Sequence, residues 1–212
     1  MKKKIIDQAV AVFNRKGISK TTLRDIAREL AISDGHLRYY FKTKEELVHA
    51  TFSEMEQEIS ALAAATGATS AFDVQTLVAP LTSVYRIMYR YVFFFSESTA
   101  ILETFPKVYV AYEQLFQNRR QMFLALFEQY KREGVFEDKV EVHLFPLLFE
   151  QVFILSDSWV RYARLPQYGH LSQEEHIKHY VAVTVALLLP YFNADLRAQV
   201  SDWLKQAGSM PS

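Results

Sequence analysis

From one end of this chain to the other, apolar residues recur at spacings of three and four, and alternating runs bounded by Asn-Gly or Asp-Gly are missing. That pattern commits the chain to packed helices. At 212 residues it is long enough to bury roughly 70% of its unfolded surface. The first helix is expected over about 3–16, with Ile5, Ile6, Ala9, Val12 and Phe13 on one face and Gly17 as its stop. Thr22-Leu23-Arg24-Asp25 reads as a capping-box start for a second helix to about residue 30. Ser33 caps a short third helix to about residue 40, and Thr43-Lys44-Glu45-Glu46 opens a fourth that runs to about residue 65. The small, polar stretch 64–70 reads as a linker. Longer helices are expected over 72–94, 97–104, 106–133, 138–163, 172–191 and 194–206, with Pro106 in a first turn and Gly134 closing the longest.

Several function classes are excluded early. The glycines, at 17, 35, 67, 134, 169 and 208, are too dispersed for a dinucleotide fingerprint, a P-loop or a hydrolase elbow. With no cysteine there is neither a disulfide nor a thiolate metal site. His170, Glu175, His176 and His179 lie close in sequence, but a solvated histidine pair is the expected reading, with no metal and no cofactor. No serine, histidine and carboxylate share a recognisable catalytic spacing. The amino-terminal Lys2-Lys3-Lys4 is followed by no clean apolar run, and the longest uncharged stretch, 180–194, is too short for a membrane span. A soluble, cytoplasmic protein with no membrane partner is therefore expected.

The formal net charge of zero hides an asymmetry. Residues 1–50 carry 11 Lys+Arg and 6 Asp+Glu, a net of +5, whereas residues 51–212 carry 13 and 18, a net of −5. A basic module that meets a polyanion, attached to an acidic body, has this signature. The basic part contains two short helices separated by a few residues, a helix-turn-helix pattern in which Ile26, Ala27, Leu30, Ile32 and Leu37 are spaced to pack together. The second helix would then expose Asp34, Gly35, His36, Arg38, Tyr39 and Tyr40, short or polar groups able to reach base edges in a major groove. Thr22, Arg24, Ser33, Lys42 and Lys44 complete the expected DNA-binding set, chiefly as phosphate contacts. The same pattern also describes an ordinary helical hairpin with a solvated face.

The run from Ile5 to Leu47, with Thr21-Thr22-Leu23-Arg24-Asp25-Ile26-Ala27 and Ile32-Ser33-Asp34-Gly35-His36-Leu37-Arg38-Tyr39-Tyr40-Phe41, resembles the DNA-binding domain of TetR/AcrR-type transcriptional regulators. The resemblance implies an all-α fold. An N-terminal three-helix helix-turn-helix domain (1–47) would precede a larger helical effector-binding and dimerisation domain (48–212). It further implies a homodimer on a palindromic double-stranded operator, most often a repressor released by a small ligand. Two departures stand out. Ala31 occupies a turn where the family often has glycine, so the turn is either shifted or mildly strained. His36-Leu37-Arg38 replaces the frequent Thr-Leu-Tyr, so Arg38, which can fork onto guanine O6/N7 or onto phosphate, would take over a tyrosine-to-phosphate contact, and His36 would make base reading weakly pH-sensitive.

Of the 30 aromatic residues, 19 lie between Tyr85 and Tyr162. Most are expected in the core. A subset, Tyr85, Met88, Tyr89, Phe93, Phe105, Tyr109, Tyr112, Phe116, Phe149 and Phe153, is expected to line a site for a small apolar or aromatic effector. Its polar members would be chosen from Arg86, Glu97, Glu103, Gln114, Glu150 and Asp157, with Glu150 the sharpest candidate, because a carboxylate among Leu147, Leu148, Phe149, Val152 and Phe153 must pair, protonate or face water. The segment 180–189 is apolar nearly all round and, with part of 145–163, would form a four-helix bundle across a two-fold axis. A fully internal helix is the alternative. Two other functions fit the residues: a helical carrier for hydrophobic molecules without functional DNA binding, and an enzyme using the aromatic cavity.

Overall fold

The structure is a computed structural model that describes residues 1–65 and 72–207. Eleven α-helices are present among these residues, and the only β pairing is one isolated bridge between Phe136 and Phe192. The expected linker at 64–70 falls, from residue 66 on, outside the described residues. By contacts the chain divides into one unit formed by residues 1–61 and 90–115, and a second formed by residues 62–89 and 116 onward. This division differs from a cut after residue 47, because the first unit also takes in residues 90–115.

In the first unit, α1 (Lys2–Lys16) buries Ile5, Ile6, Ala9, Val12 and Phe13, the face its spacing predicts. Each of these side chains except that of Ala9 contributes about 1.5–3 kcal/mol when removed from water. Helices α2 (Leu23–Glu29) and α3 (Asp34–Tyr40) pack through Leu23, Ile26, Ala27 and Leu37, and α4 (Lys44–Ala65) adds Leu47, Val48 and Phe52. Leu30 and Ile32 are only half-buried, so the hairpin is held mainly by its other apolar residues.

The expected helix over 72–94 is interrupted. Helix α5 (Val74–Arg90) stops before Tyr91, and two short helices follow, α6 (Val92–Ser96) and α7 (Ser98–Thr104). At the break, Asn14 of α1 donates from Nδ2 to the Arg90 carbonyl (2.7 Å), and its Oδ1 accepts from the Phe93 amide (3.0 Å). One amide side chain thus substitutes for the helical bonds lost on both sides of Tyr91. The Phe13 and Phe93 rings meet beside it, 5.2 Å apart.

Glu97 makes the companion contact. Its carboxylate accepts from the Ile18 amide (3.0 Å) and from the Ser19 amide and hydroxyl (3.4 and 3.2 Å). Gly17 ends α1 at φ +82°, and a Cβ there would lie 2.7 Å from Glu97 Oε1. Glycine is therefore required at 17 for both backbone conformation and space.

The second unit holds α5, the C-terminal part of α8 (Pro106–Arg132), α9 (Phe145–Ala163), α10 (Gln173–Leu188) and α11 (Ala194–Ala207). Helix α9 starts at residue 145 rather than 138. Pro146 sits in its first turn, and residues 137–140 form a turn whose carbonyls at Asp138 and Val140 receive Lys131 Nζ. Helix α10 begins at the expected place, where Ser172 and Glu175 form a full capping box. Phe127, Phe136, Phe145 and Phe192 build one aromatic core; Tyr85, Tyr89, Trp159 and Tyr180 build another. In the latter, Tyr85 donates to Thr184 Oγ1 (2.8 Å), which donates to the Tyr180 carbonyl (2.8 Å).

Replacing Asn14 with Ala leaves two backbone groups without their partner, and a loss of about 1–2 kcal/mol is expected by urea denaturation. Burial pushes the Tyr85 hydroxyl up to about 12. Its unfolded counterpart ionises near 10. Tyr85 therefore favours the native state below pH ~10 and withdraws that contribution as pH rises towards 12. Equilibrium unfolding from pH 8 to 12 should show stability falling in that window, and a smaller fall in Tyr85→Phe.

Candidate nucleic-acid interface

The helix-turn-helix is assembled by side chains that close their own helix ends. Thr22 and Asp25 form a reciprocal capping box on α2: the Asp25 amide donates to Thr22 Oγ1 (3.2 Å) and the Thr22 amide donates to Asp25 Oδ2 (3.0 Å). The Thr22 hydroxyl also donates to that carboxylate (2.6 Å), and this bond is the largest cause holding the Asp25 carboxyl below the usual range. Ser33 Oγ accepts from the His36 amide (3.0 Å) and starts α3. Both hydroxyls expected to meet DNA are thus already engaged in caps, although both residues stay exposed.

Between these helices the chain turns at Ala31, which adopts φ +53°. Of the two sequence-based alternatives, strain is the outcome. The turn is kept because the Ile32 amide reaches the Ala27 carbonyl (3.0 Å), and an alanine there carries the cost of the left-handed region.

Helix α3 presents Gly35, His36, Arg38 and Tyr39 to solvent, with Tyr39 at 79% relative exposure. Tyr40 is half-buried and stacks edge-on with both Tyr39 (5.1 Å) and His36 (5.6 Å), so it braces those rings from behind. Arg38 does not swing freely: Nε donates to Asp34 Oδ2 (2.8 Å) and Nη1 to the Lys42 carbonyl (3.1 Å). Arg24 and Lys42 are exposed, as a phosphate-contacting role requires.

Lys44 departs from expectation. Its ammonium donates to the Ile18 carbonyl (2.5 Å) and is half-buried, with desolvation lowering its pKa against the pull of Glu97. The charge is turned inward to tie the loop after α1 to α4, so its role is positional. The capping box expected at 43–46 is also displaced: Thr43 Oγ1 accepts from the Glu46 amide (3.1 Å), but the Glu46 carboxylate takes the Lys42 amide (2.7 Å). Sequence reasoning missed the bridging role of Asn14, and it offered Glu97 only as a polar member of an effector site, whereas its carboxylate receives Ile18 and Ser19. An asparagine near the end of an otherwise apolar-faced helix was a visible signal for the first; nothing local marked the second.

The residues expected to line an effector site fall into separate groups. Phe93, Phe105 and Tyr112 belong to the first unit, where the Tyr112 ring meets Phe52 and Phe94. Tyr109, in the same unit, is 52% exposed and lines no interior surface of it. Tyr85, Met88, Tyr89, Phe116, Phe149 and Phe153 belong to the second unit; Phe116, Phe149 and Phe153 form a ring triad at 4.9–5.6 Å. Glu150 faces water. It lies on the exposed side of α9 near Leu147 and Ile154, which resolves the three options in favour of solvent, away from the aromatic interior. His176 corrects another expectation. It is buried rather than solvated, with Nε2 at 2.9 Å from the Tyr168 carbonyl and Nδ1 at 3.3 Å from the Tyr89 hydroxyl.

A family model described as "Bacterial regulatory proteins, tetR family" matches residues 5–51, and a second, TetR, described as "Bacterial transcriptional repressor", matches residues 54–200. The chain belongs to the TetR family. This places it among bacterial transcriptional regulators rather than enzymes. Two curated relatives match a part of it. One is the "Probable HTH-type transcriptional regulator YttP" of Bacillus subtilis, 42% identical over 59 residues, which are 28% of either chain. The other is the biofilm operon icaADBC HTH-type negative transcriptional regulator IcaR of Staphylococcus epidermidis, 45% identical over 47 residues, 22% of this chain and 25% of that one. The matched segments thus span about a quarter of those relatives' lengths. The fold extends further: a TetR-family transcriptional regulator from Marinobacter aquaeolei VT8 superposes with a TM-score of 0.81 over 98% of both chains at 20% identity. No helix among the described residues is long and apolar enough to cross a membrane.

Two substitutions separate folding from DNA contact in this TetR-family head. Ala31→Gly should raise stability by about 0.5–1 kcal/mol in thermal unfolding, the relief of the left-handed alanine exceeding the added chain entropy. At Gly35 an added Cβ would approach only Ser33 Oγ, at 4.0 Å, so the fold does not need glycine there. Gly35→Ala should therefore keep or slightly raise the melting temperature while weakening duplex binding at least tenfold by gel shift.

Proposed function

We propose that this TetR-family protein is a ligand-released repressor that binds a palindromic operator as a homodimer. The observation that carries the reading is the exposed face of α3: a glycine the fold does not require, beside His36, an oriented Arg38 and a fully presented Tyr39. In a dimer the two α3 helices would enter successive major grooves about 34–36 Å apart. Arg24, Lys42 and the N-terminal turns of α2 and α4 would hold the phosphates on either side.

Support for a dimer comes from α9. Leu147, Ile154 and Tyr162 are 54%, 63% and 56% exposed and follow one another at roughly two-turn spacing, with Glu150 and Gln151 between them. An apolar stripe of that kind on a helix is more readily explained by a partner than by water. Helix α10 contributes less than its composition implies. It buries Ile177, Tyr180, Val181, Thr184, Val185 and Leu188 within its own unit, leaving chiefly Val183, Ala186 and Leu187 for a partner.

For the effector, the second unit supplies the aromatic interior. Trp159 Nε1 and Tyr180 Oη are buried there without a hydrogen-bond partner among the described residues. Each such group costs about 1–3 kcal/mol. An apolar or aromatic molecule bearing an acceptor would satisfy them. Its differential affinity for the DNA-bound and released states would set a coupling of about 1–3 kcal/mol.

The deciding test is a gel shift on the promoter region beside the protein's own gene. Specific retardation is expected, weakening steeply between 50 and 200 mM salt, roughly, and lost in Arg38→Ala. Failure to retain any upstream sequence, with a normal circular-dichroism spectrum, would overturn the reading. Independently, Ile154→Glu should shift the protein from dimer to monomer in sedimentation velocity while its helix content is preserved.

A further inference from the structure

We infer that Asp34 sets base specificity by holding Arg38 for a guanine in the major groove; the inference rests on the operator-binding reading above. Asp34 lies in the first turn of α3 and Arg38 one turn later, and both side chains are partly exposed, at 39% and 52%. The guanidinium is gripped on two flanks, Nε by Asp34 Oδ2 and Nη1 by the Lys42 carbonyl, with Nη2 outside both contacts. An arginine placed on this helix only to attract phosphate gains nothing from a neighbouring carboxylate, which cancels its charge and repels the backbone it should approach. An exposed i,i+4 pair of this kind also adds little to folding.

What the arrangement does supply is direction. The guanidinium plane is fixed before DNA arrives, so less side-chain freedom is lost when it meets a planar pair of acceptors. Guanine O6 and N7 are such a pair, and the commonest specific partner of arginine in the major groove. Asp34 has a second part in this. Its Oδ1 is enclosed, without a hydrogen-bond partner among the described residues, so what the carboxylate offers DNA is the remaining lone pair of Oδ2 beside the Arg38 bond. The cytosine N4 amine opposite that guanine is a donor and suits it; a base-edge acceptor in the same place is repelled. Arginine and aspartate together therefore favour one orientation of one G·C pair per half-site. The net charge of the pair is zero, which lowers attraction to unselected duplex and widens the gap between right and wrong sequences.

The rival account is that Asp34 merely complements the positive end of α3. It predicts a change in stability and none in base preference. Selection from a randomised duplex pool, using the full-length wild type, Arg38→Ala and Asp34→Asn, decides between the two. The wild type should enrich a palindrome with a G·C pair in each half-site, and Arg38→Ala should lose preference at that pair. Asp34→Asn should lose discrimination at the same pair by about five- to a hundredfold. It should also bind unselected duplex more tightly, with a salt dependence steeper by about one ion. If Asp34→Asn discriminates there as well as the wild type does, or if Arg38→Ala loses no base pair, the inference fails while the operator reading stands. If the wild type enriches no motif, the operator reading itself fails, and this inference with it. Thermal melts of Asp34→Asn and Asp34→Ala report folding separately from preference.

Discussion

The loop after helix α1 takes hydrogen bonds from residues distant in sequence, and the first unit is organised around them. The Ile18 and Ser19 amides go to Glu97; the Ile18 carbonyl goes to Lys44. Asn14, one turn earlier, returns the favour by bridging the interruption at Tyr91. A buried or half-buried backbone group left unpaired is costly, so each of these bonds constrains the position of an entire helix rather than of one residue. Helix α3 inherits its placement from that scaffold, because α2 packs on α1 and α3 packs on α2. The exposed side chains of α3 then carry little structural duty beyond the caps and the bonds along their own helix.

That division of labour extends to charge. The first fifty residues carry the positive excess, yet part of it is consumed internally: Lys44 by a carbonyl, Arg38 by Asp34, and Arg15 and Lys16 by Glu29. The cations left facing solvent, among them Arg24 and Lys42, are fewer than the composition suggests. A head of this kind leans on shape and directed contacts more than on bulk electrostatic attraction, in keeping with a chain whose formal charge is zero.

Local features were readable in the sequence to the extent that their causes are local. The caps at Thr22, Ser33 and Ser172, the stop at Gly17 and the buried face of α1 depend on residues within a turn or two, and they lie where the spacing places them. The family was equally legible, because its motif is continuous from Ile5 to Leu47. What escaped was set by contacts distant in sequence. No propensity ends a helix at Arg90; Asn14 makes the interruption tolerable from 76 positions away. Lys44 looks like a phosphate contact until its neighbour proves to be the Ile18 carbonyl. Glu150 sits among apolar residues in sequence, but helical rotation brings it to the surface of α9. His176 has charged and polar neighbours in sequence, whereas its spatial neighbours are Tyr89 and the Tyr168 carbonyl.

The contact between Gly17 and Glu97 has a consequence for how such a sequence can drift. Any side chain at 17 would meet both an unfavourable dihedral and the carboxylate oxygen already filling the space. Shortening residue 97 would clear the collision but abandon the amides of Ile18 and Ser19. Neither position can change first without loss, so the two, at the ends of different helices and far apart in the gene, are inherited as a single character. Descendants of this chain would be expected to vary more freely along the exposed face of α3 while this remote pair stays fixed.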